Sequence, residues 1–104
     1  MIILSKNEID FGLVKEGTNV NESIILTNMF SNIINITGAT ASCGCTKPQV
    51  KIGTLDPGMN ISVNIGLNTS GKKGLVKKTA SINYTNKGVP ERIVIPIKAT
   101  VEWY

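Results

Sequence analysis

Cys43 and Cys45 are the only cysteines of this 104-residue chain, and one glycine separates them. In an extended strand, residues two apart face the same way, so the two sulfurs can lie side by side. A soft-metal site is one chemistry such a pair could serve. Structural zinc takes four ligands, and the chain has no His, so Asp, Glu or a second chain would have to complete the set. A redox pair is the second chemistry. It usually sits in Cys-x-x-Cys at a helix N-terminus, where the dipole lowers the thiol pKa. No helix is expected here, and closing a disulfide across a single residue is strained. The favoured reading is structural. Cys43 and Cys45 act as small buried hydrophobes, and Gly44 lets the chain bend between strands. Metal or redox handling and an intermolecular bridge remain as alternatives.

Lys72, Lys73, Lys77 and Lys78 form a second candidate, on a Gly-flanked hairpin from Gly71 to Lys78, and supply much of the net charge of +4. Clustered lysines suit an anion-docking patch for an acidic glycan or an acidic protein. Nucleic acid is disfavoured, because no stacking aromatic is interleaved with them. The alternative is that these lysines guard a sheet edge against unwanted pairing. Trp103 and Tyr104 form a third candidate. Trp103 falls on the core side of an alternating strand and is expected to plug the core. An aromatic tail docked on a neighbour is the other possibility. For catalysis the inventory is poor: His, the commonest general base, is missing. The seven carboxylates are scattered and Ser42 has no base near it in sequence. The expectation is a non-enzymatic protein with no cofactor.

The elements that must position these residues are strands. Fifteen Ile, eleven Asn and ten Lys fill more than a third of the chain. Branched Ile suits a pleated half-buried surface, and Asn suits turns. Apolar side chains recur with period two: Ile93, Ile95, Ile97, Ala99, Val101 and Trp103 on one face, then Met59, Ile61, Val63, Ile65 and Leu67. That alternation marks strands with one buried face. Pro96 cannot donate a ladder bond, so the last strand is expected to have a free edge or a bulge there. Further strands are expected over about Asn21 to Asn28 (Ile24, Leu26 inward), Ile33 to Thr37 (Ile34, Ile36 inward) and Val76 to Tyr84 (Ala80, Ile82, Tyr84 inward). Short edge strands are expected near Ile2–Leu4, Ile9–Phe11 and Gln49–Ile52. Turn signals stand between them, among them Glu16-Gly17, Asp56-Pro57-Gly58 and Asn86-Lys87-Gly88. The spacing predicts an all-β, immunoglobulin-like antiparallel β-sandwich of about seven strands, one domain spanning residues 1–104.

Several features fall in a particular order: Asp10-Phe11-Gly12, Ser42-Cys43-Gly44-Cys45-Thr46, then Leu55-Asp56-Pro57-Gly58. In this order the chain resembles a bacterial domain-of-unknown-function family with an Asp-Phe-Gly start and a Cys-Gly-Cys-Thr motif. That family is abundant in Bacteroidetes and similar to the Hydin-type and major-sperm-protein-like immunoglobulin folds. The resemblance implies a sandwich and implies no activity, since a fold is only a platform. The short apolar run after Met1 is not expected to act as a secretory signal, and no apolar window reaches the length of a membrane-spanning helix. These readings, with a composition typical of AT-rich genomes, point to a structural or adhesive module. The specific expectation is an accessory protein on the outside of a bacteriophage capsid, assembled in the bacterial cytoplasm, with capsid subunits as partners and possible glycan or host-surface contact. Two alternatives stand beside it: a cell-envelope binding domain whose leader has been removed, and a metal- or redox-handling protein built on Cys43 and Cys45.

Overall fold

The computed structural model describes residues 1–103. Among these, nine strands are found and no helix: β1 (Ile2–Leu4), β2 (Ile9–Lys15), β3 (Asn19–Asn28), β4 (Ile34–Ala41), β5 (Thr46–Val50), β6 (Gly53–Leu55), β7 (Asn60–Asn68), β8 (Gly74–Asn86) and β9 (Val89–Glu102). They form two sheets, in the orders β1-β3-β7-β5 and β2-β9-β8-β4-β6, packed face to face as an immunoglobulin-like sandwich. The count exceeds the expected seven because short edge pieces are strands in their own right. β1 and β2 pair with different sheets; the strand expected over Gln49–Ile52 overlaps only the end of β5, Lys51 and Ile52 link it to β6, and β6 itself was not expected. All four lie at sheet edges. One pairing departs from an all-antiparallel sandwich: β2 runs parallel to β9.

The core follows the period-two pattern. Ile24 and Leu26 on β3, Val63, Ile65 and Leu67 on β7, Ala80, Ile82 and Tyr84 on β8, and Ile95, Ile97, Ala99 and Val101 on β9 are all buried. Each buried Ile contributes about 1.5–3 kcal/mol relative to leaving it in water. Met59, expected to start the inward row of β7, is exposed because it belongs to the preceding turn. That turn is type II: Asp56 C=O accepts from Met59 N at 3.1 Å, and Gly58 has a φ of 80°.

Two bulges change which face a side chain joins. On β4 the pairing with β8 slips between Ile36 and Gly38, so Ile34 and Ile36 point inward before it and Ala39 and Ala41 after it. On β2 the register slips between Asp10 and Leu13. There Gly12 takes a φ of 70° and its N–H donates to Asp10 Oδ1 at 2.8 Å. The Asp-Phe-Gly stretch is therefore a bulge that keeps Phe11 packed on the core and turns Leu13 out to solvent.

β9 lies inside the sheet order, but at Pro96 one of its two sides is a free edge, as expected. Its partner across β8 is Thr79, whose N–H and C=O both bond to Ser42 on the other side. Thr79 and Pro96 therefore form a non-hydrogen-bonded pair, and the missing donor of Pro96 faces β2. β2 begins one residue later, with Ile9 opposite Ile97. The proline thus occupies the one stretch of that side where no ladder bond is required.

Candidate functional site

Cys43 and Cys45 form a disulfide, with a Cα–Cα separation of 5.4 Å. This corrects the reading of two buried thiols: both cysteines are half-buried and Gly44 is exposed. The motif lies where the chain leaves β4 in one sheet for β5 in the other. Its last hold on the first sheet is Ser42, whose N–H donates to Thr79 O at 2.9 Å. Its first hold on the second is Cys45, whose C=O accepts from Asn68 N at 2.8 Å. Within the ring, Cys45 N donates to Cys43 Sγ at 3.3 Å and Thr46 N to Cys43 O at 3.3 Å. Gly44 does not have a positive φ, and a Cβ there would meet nothing within 4 Å, so the bend does not itself require glycine. Among the described residues no group of three or more His, Cys, Asp or Glu could hold a metal.

A bond that closes a three-residue loop removes little chain entropy, about 1.6 kcal/mol by the loop-closure relation. The double substitution Cys43→Ser, Cys45→Ser is therefore expected to keep a cooperative fold and to lower stability by roughly 1–2 kcal/mol in urea unfolding. A variant that no longer folds would contradict this.

The four lysines do not lie on a hairpin. β7 and β8 belong to different sheets, so Lys72 and Lys73 sit in a crossover loop, while Lys77 and Lys78 are on β8. The loop is stapled to the turn after β2. Gly71 N donates to Glu16 Oε2 at 2.9 Å, and Thr69 N to Thr18 O at 3.1 Å. The hydroxyl of Thr69, a fully buried residue, lies 2.7 Å from Thr18 O and 3.1 Å from Lys15 O. Lys77 projects from the outer face beside Lys98, its cross-strand partner, and Lys78 projects from the inner face at the rim. Lys98 is held by Glu8 at 3.1 Å and Asp10 at 3.9 Å. The hydrogen bond to Glu8, then the charges of Glu8 and Asp10, push its pKa up. None of Lys72, Lys73, Lys77 or Lys78 makes an ion pair among the described residues. An open groove of about 520 Å³ runs across this face, lined by Glu8, Ser42, Lys77, Thr79, Pro96 and Lys98 among others.

Next to it is an apolar row. Leu13 and Leu75 both register with Thr100, so all three share the outer face of one sheet. Leu13 is 67% and Leu75 61% exposed. Trp103 emerges three residues beyond Thr100. It is 50% exposed and not a core plug, because β8 ends opposite Val101 and so does not extend to the next inward position. Tyr104 lies outside the described residues.

Sequence reasoning missed one buried residue and one groove. Asn28 reads as the end of a strand, yet it is completely buried. The outward asparagines of β3 and β7 carry no site in the sequence reading, yet Asn19, Asn21, Asn64 and Asn68 line a groove of about 280 Å³ with Lys47 and Gln49. Its floor is Gly66: a Cβ there would come within 2.7 Å of Asn21 Oδ1, so the Asn21 amide lies across β7 where a side chain is missing.

Solved structures share this architecture at low identity. A protein of unknown function from Porphyromonas gingivalis W83 aligns at 17% identity with a TM-score of 0.75, over 95% of this chain and 46% of that one. The ASH/PapD-like domain 7 of human CEP192 aligns at 8% identity and 0.78, over 99% and 86%. SSP-19, an MSP-domain-like family member of Caenorhabditis elegans, aligns at 15% identity and 0.69, over 93% and 97%. The chain thus spans less than half of the Porphyromonas protein. Among curated proteins none matches it. The sequence profile of the family described as protein of unknown function (DUF1573) matches residues 2–101, and the chain belongs to that family.

Proposed function

We propose that this domain is a non-enzymatic structural or adhesive module that binds other proteins in a larger assembly. The observation that carries the reading is the row formed by Leu13 and Leu75 either side of Thr100 on the outer face of one sheet. Large apolar side chains exposed on a rigid sheet face raise the free energy in water, and a partner that covers them lowers it. The sandwich, 51 × 21 × 16 Å along its principal axes, presents them at a fixed position. The assembly that the sequence favours is the outside of a bacteriophage capsid.

The test is a double substitution, Leu13→Ser with Leu75→Ser, at two solvent-facing positions that leave the core untouched. The variant is expected to fold as the parent does and to sediment free of the assembly that carries the wild-type chain. A variant that co-sediments like the wild type would overturn the reading.

A further inference from the structure

We infer that the edge of β8 over Gly74–Lys78 is a docking edge for an extended acidic segment of a partner protein, added to the sheet as a further strand. This rests on the reading of the domain as an interaction module and specifies one surface and the chemistry of its partner.

The first observation is an open ladder. β4 pairs with β8 only as far as Ala41 opposite Ala80, and the Ser42–Thr79 bonds are the last contact before the chain turns off through the Cys43–Cys45 loop. β8 itself continues five residues further, to Gly74, paired with β9 alone. Strand backbones alternate in the direction of their polar groups. Thr79 turns its N–H and C=O toward Ser42, so Lys77 and Leu75 turn theirs to the same side, beyond the end of β4. Among the described residues no turn or loop bond reaches either residue. Two N–H groups and two C=O groups are thus presented in strand geometry, the arrangement by which peptides add to sheet edges.

The second observation is charge. Lys77 and Lys78 lie on this segment, and Lys72 and Lys73 lie just before its first residue. Among the described residues none of the four has an ion-pair partner, whereas Lys98, the next lysine across the sheet, already holds Glu8 and Asp10. The same lysines that repel a basic or neutral edge attract an acidic one. A strand antiparallel to β8 in the line vacated by β4 places successive residues opposite Lys78, Lys77, Val76 and Leu75. Acidic residues suit the first two positions. An apolar one suits the fourth, on the outer face beside exposed Leu75.

The probe is a labelled peptide Glu-Glu-Thr-Val-Thr-Glu-Glu, titrated into the whole domain and followed by fluorescence anisotropy and by amide shifts. Saturable binding is expected, with the largest shifts confined to Gly74–Thr79 and slowed exchange of the Leu75 and Lys77 amides. Charge reversal at two exposed positions, Lys77→Glu with Lys78→Glu, is expected to weaken it at least about tenfold. N-methylation of the peptide at its second residue, which keeps every charge but removes a ladder donor, is expected to weaken it as well. Full binding by the N-methylated peptide would reduce the effect to charge attraction and overturn the strand-addition proposal. So would tighter binding of a single-stranded oligonucleotide than of the peptide, or no binding at millimolar peptide. Loss of peptide binding alone, with the wild-type chain still sedimenting in its assembly, refutes this edge and leaves the module reading standing. Peptide binding by a chain found only as a free monomer does the reverse.

Discussion

Replacing Asn28 by alanine is expected to destabilise the domain by roughly 2–4 kcal/mol, a large part of the 5–15 kcal/mol typical of a small domain. The buried amide ties three segments together. Its Nδ2 donates to Leu55 O at 2.8 Å and to Asn32 O at 3.1 Å, and its Oδ1 accepts from Phe30 N at 2.9 Å. Alanine leaves the buried Leu55 carbonyl without that donor and Phe30 N without its acceptor, where water does not readily take their place. An unsatisfied buried group costs about 1–3 kcal/mol, more than the net gain from making the bond. Asn35→Ala, on the exposed face of β4, is the control and is expected to stay within about 0.5 kcal/mol of wild type. Urea unfolding of both variants checks the difference. Equal effects would mean that Asn28 does not hold the β3, β4 and β6 ends together.

The second large effect separates two adjacent isoleucines. Ile24→Ala is expected to cost roughly 2–5 kcal/mol, because Ile24 is fully buried opposite Val63 and its loss leaves a cavity between the sheets. Ile25→Ala is expected to cost less than about 1 kcal/mol, because Ile25 is 41% exposed and lies over Ser62 on the outer face. Chemistry and chain position are all but identical, so only the direction of the side chain differs. Similar losses from both substitutions would contradict the register of β3.

That pair also shows what was legible in the sequence. Where a strand runs unbroken, alternation alone assigns faces: Ile24 and Leu26 in, Ile95, Ile97 and Ala99 in. Where a bulge intervenes, parity flips and the pattern dissolves. Thr37-Gly38 hides the continuation of β4 to Ala41, and Asp10-Phe11-Gly12 hides that of β2 to Lys15. Trp103 kept the inward parity but lost its cover, since parity says nothing about where neighbouring strands stop. The disulfide was hidden for a related reason. Spacing shows that two sulfurs can meet but not that the chain changes sheets between them. Asn28 and Thr69 were invisible because their partners are main-chain carbonyls brought close only by the tertiary fold. The lysines were legible as a cluster. That β4 stops short beside them was not, and the docking edge rests on that stop.

The most direct test of the account is the mass of the particle that carries the protein in the cells that make it, measured by sedimentation of a gentle lysate. The account predicts that most of the chain travels in a complex many times heavier than its own 11.2 kDa. Recovery of the protein that carries this chain as a free monomer would contradict it.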